Sequence, residues 1–382
     1  MRLIPYSHQW IDNKDINSVI KVLRSDWITQ GPTVKAFEIA ISKYTGAKYA
    51  VAVSNGTAAL HIACLAVGIE KGDEVITSPI TFLASANCVI YCGGKPIFAD
   101  VQEDTGNIKS EEINAKITKR TKMLIPVHYA GHPCDMEKIQ QIAKRNKLFI
   151  IEDSAHALGA KYKGSKIGSC KYSDMTILSF HPVKHITAGE GGMVLTNRRD
   201  LYKKLLILRN HGITKEKYVN VPDGDWYYEM QLLGYNYRIT DIQSALGISQ
   251  LKRLAEFVRR RREIVQIYNR EFKNSPYFNT PVEKTYAYSS YHLCPIRLKE
   301  QFMASKKEIF TKLREKGIGA QVHYIPVYLQ PYYRKLGYKK GSCPQAEKFY
   351  RSEISIPVYP SMKNSDVNYV IKTLNKVLTE YK

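Results

Sequence analysis

A lysine becomes a nucleophile only where its surroundings favour the neutral amine, and one lysine of this sequence sits in such a setting. In the stretch Ser179-Phe180-His181-Pro182-Val183-Lys184-His185, a β-rich run ends at Phe180 and a proline-bearing turn presents Lys184. A glycine-rich turn, Gly189-Glu190-Gly191-Gly192, then leads into the next run. Near phosphate-binding groups and aromatic rings such an amine can lose its proton and form a Schiff base with a carbonyl. Taken alone, in a chain so rich in lysine, Lys184 reads as one surface lysine among many. A second candidate is Asp153, delivered by the apolar run Ile150-Ile151-Glu152, with His156 one turn later. A buried carboxylate there needs a cation or strong donors; the plain alternative is a helix N-cap. A third is Val53-Ser54-Asn55-Gly56-Thr57-Ala58, a strand, a small polar turn and a helix start. Its free amides and helix dipole suit a phosphate, and a capped turn would look the same. A fourth is Pro79-Ile80-Thr81-Phe82, where Phe82 could lie over a flat ligand or pack into the core.

The set says more than its members. A phosphate turn, a stacking aromatic, a carboxylate to pair with a pyridinium nitrogen and a Schiff-base lysine, in this chain order, are the parts a pyridoxal 5′-phosphate (PLP) enzyme needs. Asp153 would keep the ring nitrogen protonated, and Lys184 would carry the cofactor and later move protons.

These residues follow short β-rich runs: Tyr49–Val53, Glu74–Thr77, Lys95–Asp100, Met123–Val127, Leu148–Glu152, Met175–Phe180 and Met193–Thr196. Helical spacing between them, as in Ala58–Val67 and Met136–Asn146, predicts an α/β domain with a mostly parallel sheet. Ligands of such sheets bind beyond the carboxyl ends of the strands, where the four candidates fall. Asp12 followed by Ile16, Val19, Ile20 and Leu23 predicts a capped N-terminal helix. After about Gly247 the pattern changes to a long helix, a strand at His292–Leu298, an amphipathic Lys306–Lys316, a strand near Ala320–Tyr324 and a closing helix at Val367–Leu378. The expected division is a large domain, 1–245, and a smaller α+β domain, 246–382.

The 382 residues are 44% hydrophobic and 24% charged, enough apolar content for a packed core. No apolar run approaches the roughly 18–20 residues of a membrane span, and the first residues lack the apolar segment of a secretory signal. The seven cysteines are scattered without a CxxC pair, so neither a disulfide scaffold nor a metal site is expected, and the setting reads as cytoplasmic. Lys plus Arg number 57 against 35 Asp plus Glu, a net charge of +22. This charge is spread along the chain. Its one compact cluster, Arg259–Arg262, falls within apolar helical spacing and reads as a solvated face of an amphipathic helix, rather than a nucleic-acid surface.

Longer stretches sharpen the reading. Trp27-Ile28-Thr29-Gln30-Gly31-Pro32, the Ser54–Leu60 turn, Pro79–Phe82, Glu152–Gly159 and Ser179–Gly192 belong to one pattern. So do Asn210-His211-Gly212, Gly234–Arg238 with Thr240–Ala245, and Val322-His323-Tyr324. Together they resemble the DegT/DnrJ type of fold-type-I PLP aminotransferases acting on nucleotide-linked keto-sugars. That resemblance implies a large domain with a seven-stranded, mostly parallel sheet and a smaller C-terminal domain. It implies Lys184 as the Schiff-base lysine, Asp153 as partner of the ring nitrogen and His156 beside the cofactor. Gly56, Thr57 and Ser179 would bind the phosphate, and Phe82 would stack on the ring. Asn236 would reach the cofactor phosphate of a neighbouring subunit, making a homodimer with shared sites. Tyr6, the stretch Asp26, Trp27, Ile28 and Thr29, and the stretch Gln321, Val322, His323 and Tyr324 would line the sugar-nucleotide pocket, with Ser179 and Asn236 also touching substrate. Tyr6-Ser7, Ser179-Phe180-His181 and Gln321–Tyr328 further resemble members serving pseudaminic acid biosynthesis. These imply amino transfer from L-glutamate to C4 of UDP-2-acetamido-2,6-dideoxy-β-L-arabino-hex-4-ulose. Many members carry Ala where this chain has Gly56, which suits a backbone-donor role. Members that replace the lysine by histidine are sugar dehydratases; here Lys184 is present and His185 merely adjacent. The rival readings keep the chemistry on a dTDP- or GDP-linked keto-sugar, or keep only the fold, as a binding or sensory protein.

Overall fold

The computed structural model describes residues 3–381, so Met1, Arg2 and Lys382 lie outside the described residues. Helix α1 (Asn13–Leu23) opens with a capping box between Asp12 and Asp15. Helix α2 (Pro32–Thr45) starts on a proline and ends on left-handed Gly46. Strand β1 (Tyr49–Val53) then leads into α3 (Gly56–Ala66). Strands and helices continue with β2 (Glu74–Thr77), α4 (Ala84–Tyr91), β3 (Lys95–Phe98), β4 (Thr121–Ile125), α5 (Met136–Asn146) and β5 (Phe149–Asp153). Strands β6 (Met175–Ser179) and β7 (Gly192–Thr196) and helix α6 (Arg199–Arg209) complete this part.

The seven strands form one sheet in the order β1-β7-β6-β5-β4-β2-β3. Pairs β2–β3, β2–β4, β4–β5 and β5–β6 are parallel, while β7 runs antiparallel to both β1 and β6. Most of the strands are apolar along their length, as a sheet covered by helices on both faces requires. Val51, Val53, Ile125, Ile151 and Ile177 pack with α3 and α6 on one face; Phe37, Ala52, Leu178 and Leu195 pack with α2 on the other.

Helix α7 (Asp241–Leu251) packs on α1 and α2, and α8 (Leu254–Glu271) follows at once. The first half of α8 joins the core of the large sheet through Leu254, Phe257 and Val258; its second half joins the other core through Ile264, Val265 and Tyr268. That second core closes over an antiparallel sheet of β8 (Phe278–Asn279), β9 (Cys294–Leu298) and β10 (Glu353–Ile356), with α9 (Lys306–Glu315) and α10 (Asn364–Thr379) against it. No helix of the described residues is long and apolar enough to cross a membrane.

Two expectations change. Four successive helical residues sweep about 300° and cannot share one face. Arg259 is exposed, but Arg261 lies between Phe257, Val258, Ile264 and Val265 and is fully buried. Its NH1 donates to the carbonyls of Val358, His292 and Tyr291 at 2.7, 3.1 and 3.4 Å. Secondly, Ala320–Tyr324 makes a single bridge, Gln321 to Ser355, instead of a strand. Past it, the His323 amide turns to the Glu353 carboxylate and leaves the ladder. The capped N-terminal helix is present as expected, with Ile16, Ile20 and Leu23 of α1 facing outward and Asp15 and Val22 buried.

Candidate active site

The carboxyl ends of β1, β5 and β6 converge, and each delivers one candidate. At the end of β1, Asn55 caps α3: its Oδ1 accepts from the Ala58 amide at 2.8 Å. The amides of Gly56 and Thr57 are left without an acceptor among the described residues, a helix start with free donors. The capping reading holds, and the cap leaves these two amides free to meet an anion. Gly56 lies against the end of β6: a Cβ placed on it would come 3.0 Å from Ser179 Cβ and 3.3 Å from Ser179 Oγ. Gly192 must be small as well, since a Cβ there would meet the Asn55 carbonyl oxygen at 2.3 Å.

Asp153 ends β5 and is buried. Its Oδ2 accepts from Ser85 Oγ at 2.6 Å and its Oδ1 from the Ala155 amide at 3.1 Å. Ser85 has one hydrogen, spent on Asp153, so Thr81 Oγ1, 2.7 Å away, donates to Ser85 in turn. Sequence reasoning misses Ser85: it sits in the apolar helix α4, 68 positions from its partner, and nothing local marks it. Thr81 stands out in the sequence only as a neighbour of Phe82.

Lys184 is half-buried in the loop between β6 and β7. The loop is pinned by Lys184 N to His181 O, Ala188 N to Phe180 O and Phe180 N to Gly191 O, and by Ser7 Oγ to Val183 O. Burial pulls the Lys184 amine down to about 8, opposed by the nearby charge of Asp153. A neutral fraction of this amine is thus present at neutral pH.

His156 Nε2 is 3.1 Å from Tyr324 OH, and the two rings stack at 6.0 Å. Its Nδ1 is buried without a partner, and burial with the Lys184 charge holds the ring well below the usual histidine range. Tyr324 stands 6.5 Å from the exposed ring of Phe82, and burial raises its phenol. Tyr6 packs 5.3 Å from the His323 ring, which is itself held down to about 3 by burial and Lys184. Gln321 and Val322 are half-buried beside them. Ring contacts and hydrogen bonds link Phe82, Tyr324, His156, His323 and Tyr6, and the charge of Lys184 reaches His156, His323 and Asp153, with Gly56, Thr57 and Ser179 at the neighbouring strand ends.

Two groups stand apart. Asp26, Trp27, Ile28 and Thr29 are exposed, tied to the start of α7 by the Thr29–Thr240 bridge and the Asp241 amide to Ile28 O. Asn236 is exposed, its backbone bridged to Asn210 and its side chain without a hydrogen bond among the described residues. No contact among the described residues ties either group to Lys184.

These residues suit an aldehyde cofactor with a phosphate. A donor-rich helix start faces a hydroxyl, a neutralisable amine faces an anchored carboxylate, and an aromatic ring flanks the opening. Among the described residues no cluster could hold a metal ion.

Comparison with known proteins agrees. The model of the DegT/DnrJ/EryC1/StrS aminotransferase family matches residues 9–375. A Campylobacter jejuni protein named UDP-4-amino-4,6-dideoxy-N-acetyl-beta-L-altrosamine transaminase is 40% identical over 383 residues, covering 100% of this chain and 99% of its own. The solved structure of Helicobacter pylori PseC, an aminotransferase of pseudaminic acid biosynthesis, has a TM-score of 0.93 at 35% identity over 99% of this chain and 100% of its own. The PLP form of the Streptococcus pneumoniae protein Spr1654 has a TM-score of 0.93 at 32% identity over 100% of both chains.

Proposed function

The chain belongs to the DegT/DnrJ/EryC1/StrS aminotransferase family, and from that premise we propose that it moves the amino group of L-glutamate to C4 of a UDP-linked 4-keto-6-deoxy-N-acetylhexosamine. The substrate we favour is UDP-2-acetamido-2,6-dideoxy-β-L-arabino-hex-4-ulose. The enzyme uses pyridoxal 5′-phosphate. The observation that carries the reaction class is the Lys184 amine, lowered to about 8 beside the anchored Asp153 carboxylate. The choice of sugar is supported by end-to-end likeness to the Campylobacter jejuni transaminase.

When bound, the cofactor supplies a carbonyl that takes up and releases an amino group, and a protonated ring that draws electrons from the adjoining carbon. Asp153 would hold the proton on the ring nitrogen; Ser85 and the Ala155 amide keep its two oxygens from turning away. The amides of Gly56 and Thr57 and the Ser179 hydroxyl would hold the phosphate, and Phe82 would cover one ring face. Lys184 would anchor the cofactor. Freed by the incoming amine, its Nζ would take the proton from Cα of glutamate and later deliver one to C4 of the sugar. The face that Nζ occupies then fixes the configuration at C4. Tyr6, Gln321, Val322, His323 and Tyr324 would close around the sugar, and His156 would bridge Tyr324 to the cofactor.

The same reading makes the enzyme a homodimer in which Asn236 and the Asp26–Thr29 stretch serve the neighbouring site. Supporting this are the exposed Asn236 side chain, without a hydrogen bond among the described residues, and the outward apolar face of α1, with Trp27 and Ile28 more than half exposed. It keeps residues 1–245 as the cofactor-binding unit and 246–382 as the smaller one. It puts the enzyme in the cytoplasm, a reducing setting that suits seven free cysteines, six of them buried.

The test is incubation with glutamate and UDP-linked 4-keto-6-deoxy sugars of both C5 configurations, followed by mass and NMR analysis of the product. A 4-amino sugar formed together with 2-oxoglutarate is expected. Amination only of dTDP- or GDP-linked sugars, or at C3, would overturn the substrate.

A further inference from the structure

Behind His323 runs a hydrogen-bonded chain that ends on a buried carboxylate. His323 Nδ1 is 2.8 Å from Ser355 Oγ, and Ser355 Oγ is 2.5 Å from Glu353 Oε1. Glu353 Oε2 accepts from the His323 amide at 2.8 Å, which closes the loop back onto the same residue. Glu353 and Ser355 stand two apart on β10 and so point to one face of it. Glu353 is fully buried, with no lysine or arginine in ion-pair contact among the described residues. The titratable groups that feel its charge are Lys306 of α9, Cys294 of β9, Tyr129 after β4, and Tyr324 beside His323. Arg297 of β9 lies opposite it in register. Burial raises its carboxyl to about 8, against the pull of Ser355, Lys306 and the His323 amide.

A serine hydroxyl has one hydrogen, so this chain can be polarised in two ways only. With Glu353 ionised, Ser355 donates to the carboxylate, Ser355 Oγ accepts from Nδ1–H, and Nε2 of the neutral ring carries a lone pair. With Glu353 protonated, the carboxyl donates to Ser355, Ser355 donates to Nδ1, and the ring proton sits on Nε2. The only net change is one proton exchanged with solvent. Nε2 makes no hydrogen bond among the described residues, and the ring stands beside Tyr6 and Tyr324.

We propose that Glu353, acting through Ser355, is a positioning residue that sets the tautomer of His323, and so whether its Nε2 accepts or donates a hydrogen bond in the sugar-nucleotide pocket. This rests on the reading of His323 as a pocket residue.

The test is nitrogen-15 NMR of histidine-labelled holoenzyme, with His323→Gln to assign the signal, run beside steady-state kinetics. On the alkaline side of the Glu353 titration, wild type should show Nδ1 protonated. Glu353→Gln should show Nε2 protonated at the same pH, because the carboxamide donates to Ser355 whatever the pH. Ser355→Ala should uncouple the ring from Glu353, lose the pH-dependent crossing, and lower keto-sugar kcat/KM by about tenfold, one hydrogen bond's worth, with the glutamate KM unchanged. The same tautomer in wild type and Glu353→Gln, with the same pH profile, would overturn the proposal. The NMR arm needs no sugar, so a wild type that aminates no UDP-linked keto-sugar refutes the substrate reading alone.

Discussion

At the scale of the residue, chemistry depends on how little it costs Lys184 to be neutral. Its amine is held at about 8, well below an ordinary lysine, because burial penalises the ammonium more than Asp153 rewards it. In the apoprotein, arylation of Lys184 by trinitrobenzenesulfonate should rise about tenfold per pH unit up to about 8 and then level off. An exposed lysine should keep rising to about 10.4. Peptide mapping across pH checks this; a Lys184 profile matching surface lysines would contradict the pocket. Lys184 and Asp153 are legible in the sequence because strand ends and Pro- or Gly-bearing turns announce where a side chain leaves a parallel sheet. Their supports are not. Ser85 meets Asp153 across 68 positions, and Glu353 meets His323 across 30, from a strand that the sequence pattern leaves unmarked.

Elements impose constraints that single residues do not reveal. The seven strands of the large sheet are readable to within about two residues, since a continuous apolar run between helical patterns suits little except a strand covered on both faces. The arginine cluster misleads because a run of like charges looks like one surface, whereas α8 distributes it around its axis. Arg261 holds three carbonyls where the two cores meet, so Arg261→Met should cost about 2–3 kcal/mol in urea unfolding of the holoenzyme. Arg259→Met, on the exposed side of the same helix, should stay within about 0.5 kcal/mol. Equal effects would contradict the burial of Arg261. The start of β7 constrains the cofactor turn in a comparable way. Gly192→Ala drives a methyl into the Asn55 carbonyl and should weaken PLP affinity by about tenfold or more, measured by titration of the apoprotein. Unchanged affinity would show that the turn yields freely.

For the whole molecule, two expected contributors, Asn236 and the Asp26–Thr29 stretch, make no contact with Lys184 among the described residues. The motifs are legible in sequence, but which copy they serve depends on assembly, which no spacing encodes. If sites are shared, mixing inactive Lys184→Ala and Asn236→Ala dimers creates hybrids with one intact site each. Random exchange should then restore about a quarter of wild-type activity; no recovery after demonstrated subunit exchange would confine each site to one chain. All of this presupposes that the cofactor is bonded to one lysine in one pocket. Borohydride reduction of the PLP-loaded enzyme, followed by peptide mapping, reads that bond directly. The mass of the reduced cofactor on Lys184 alone is the expected result; the label on any other lysine, or on none, would contradict it.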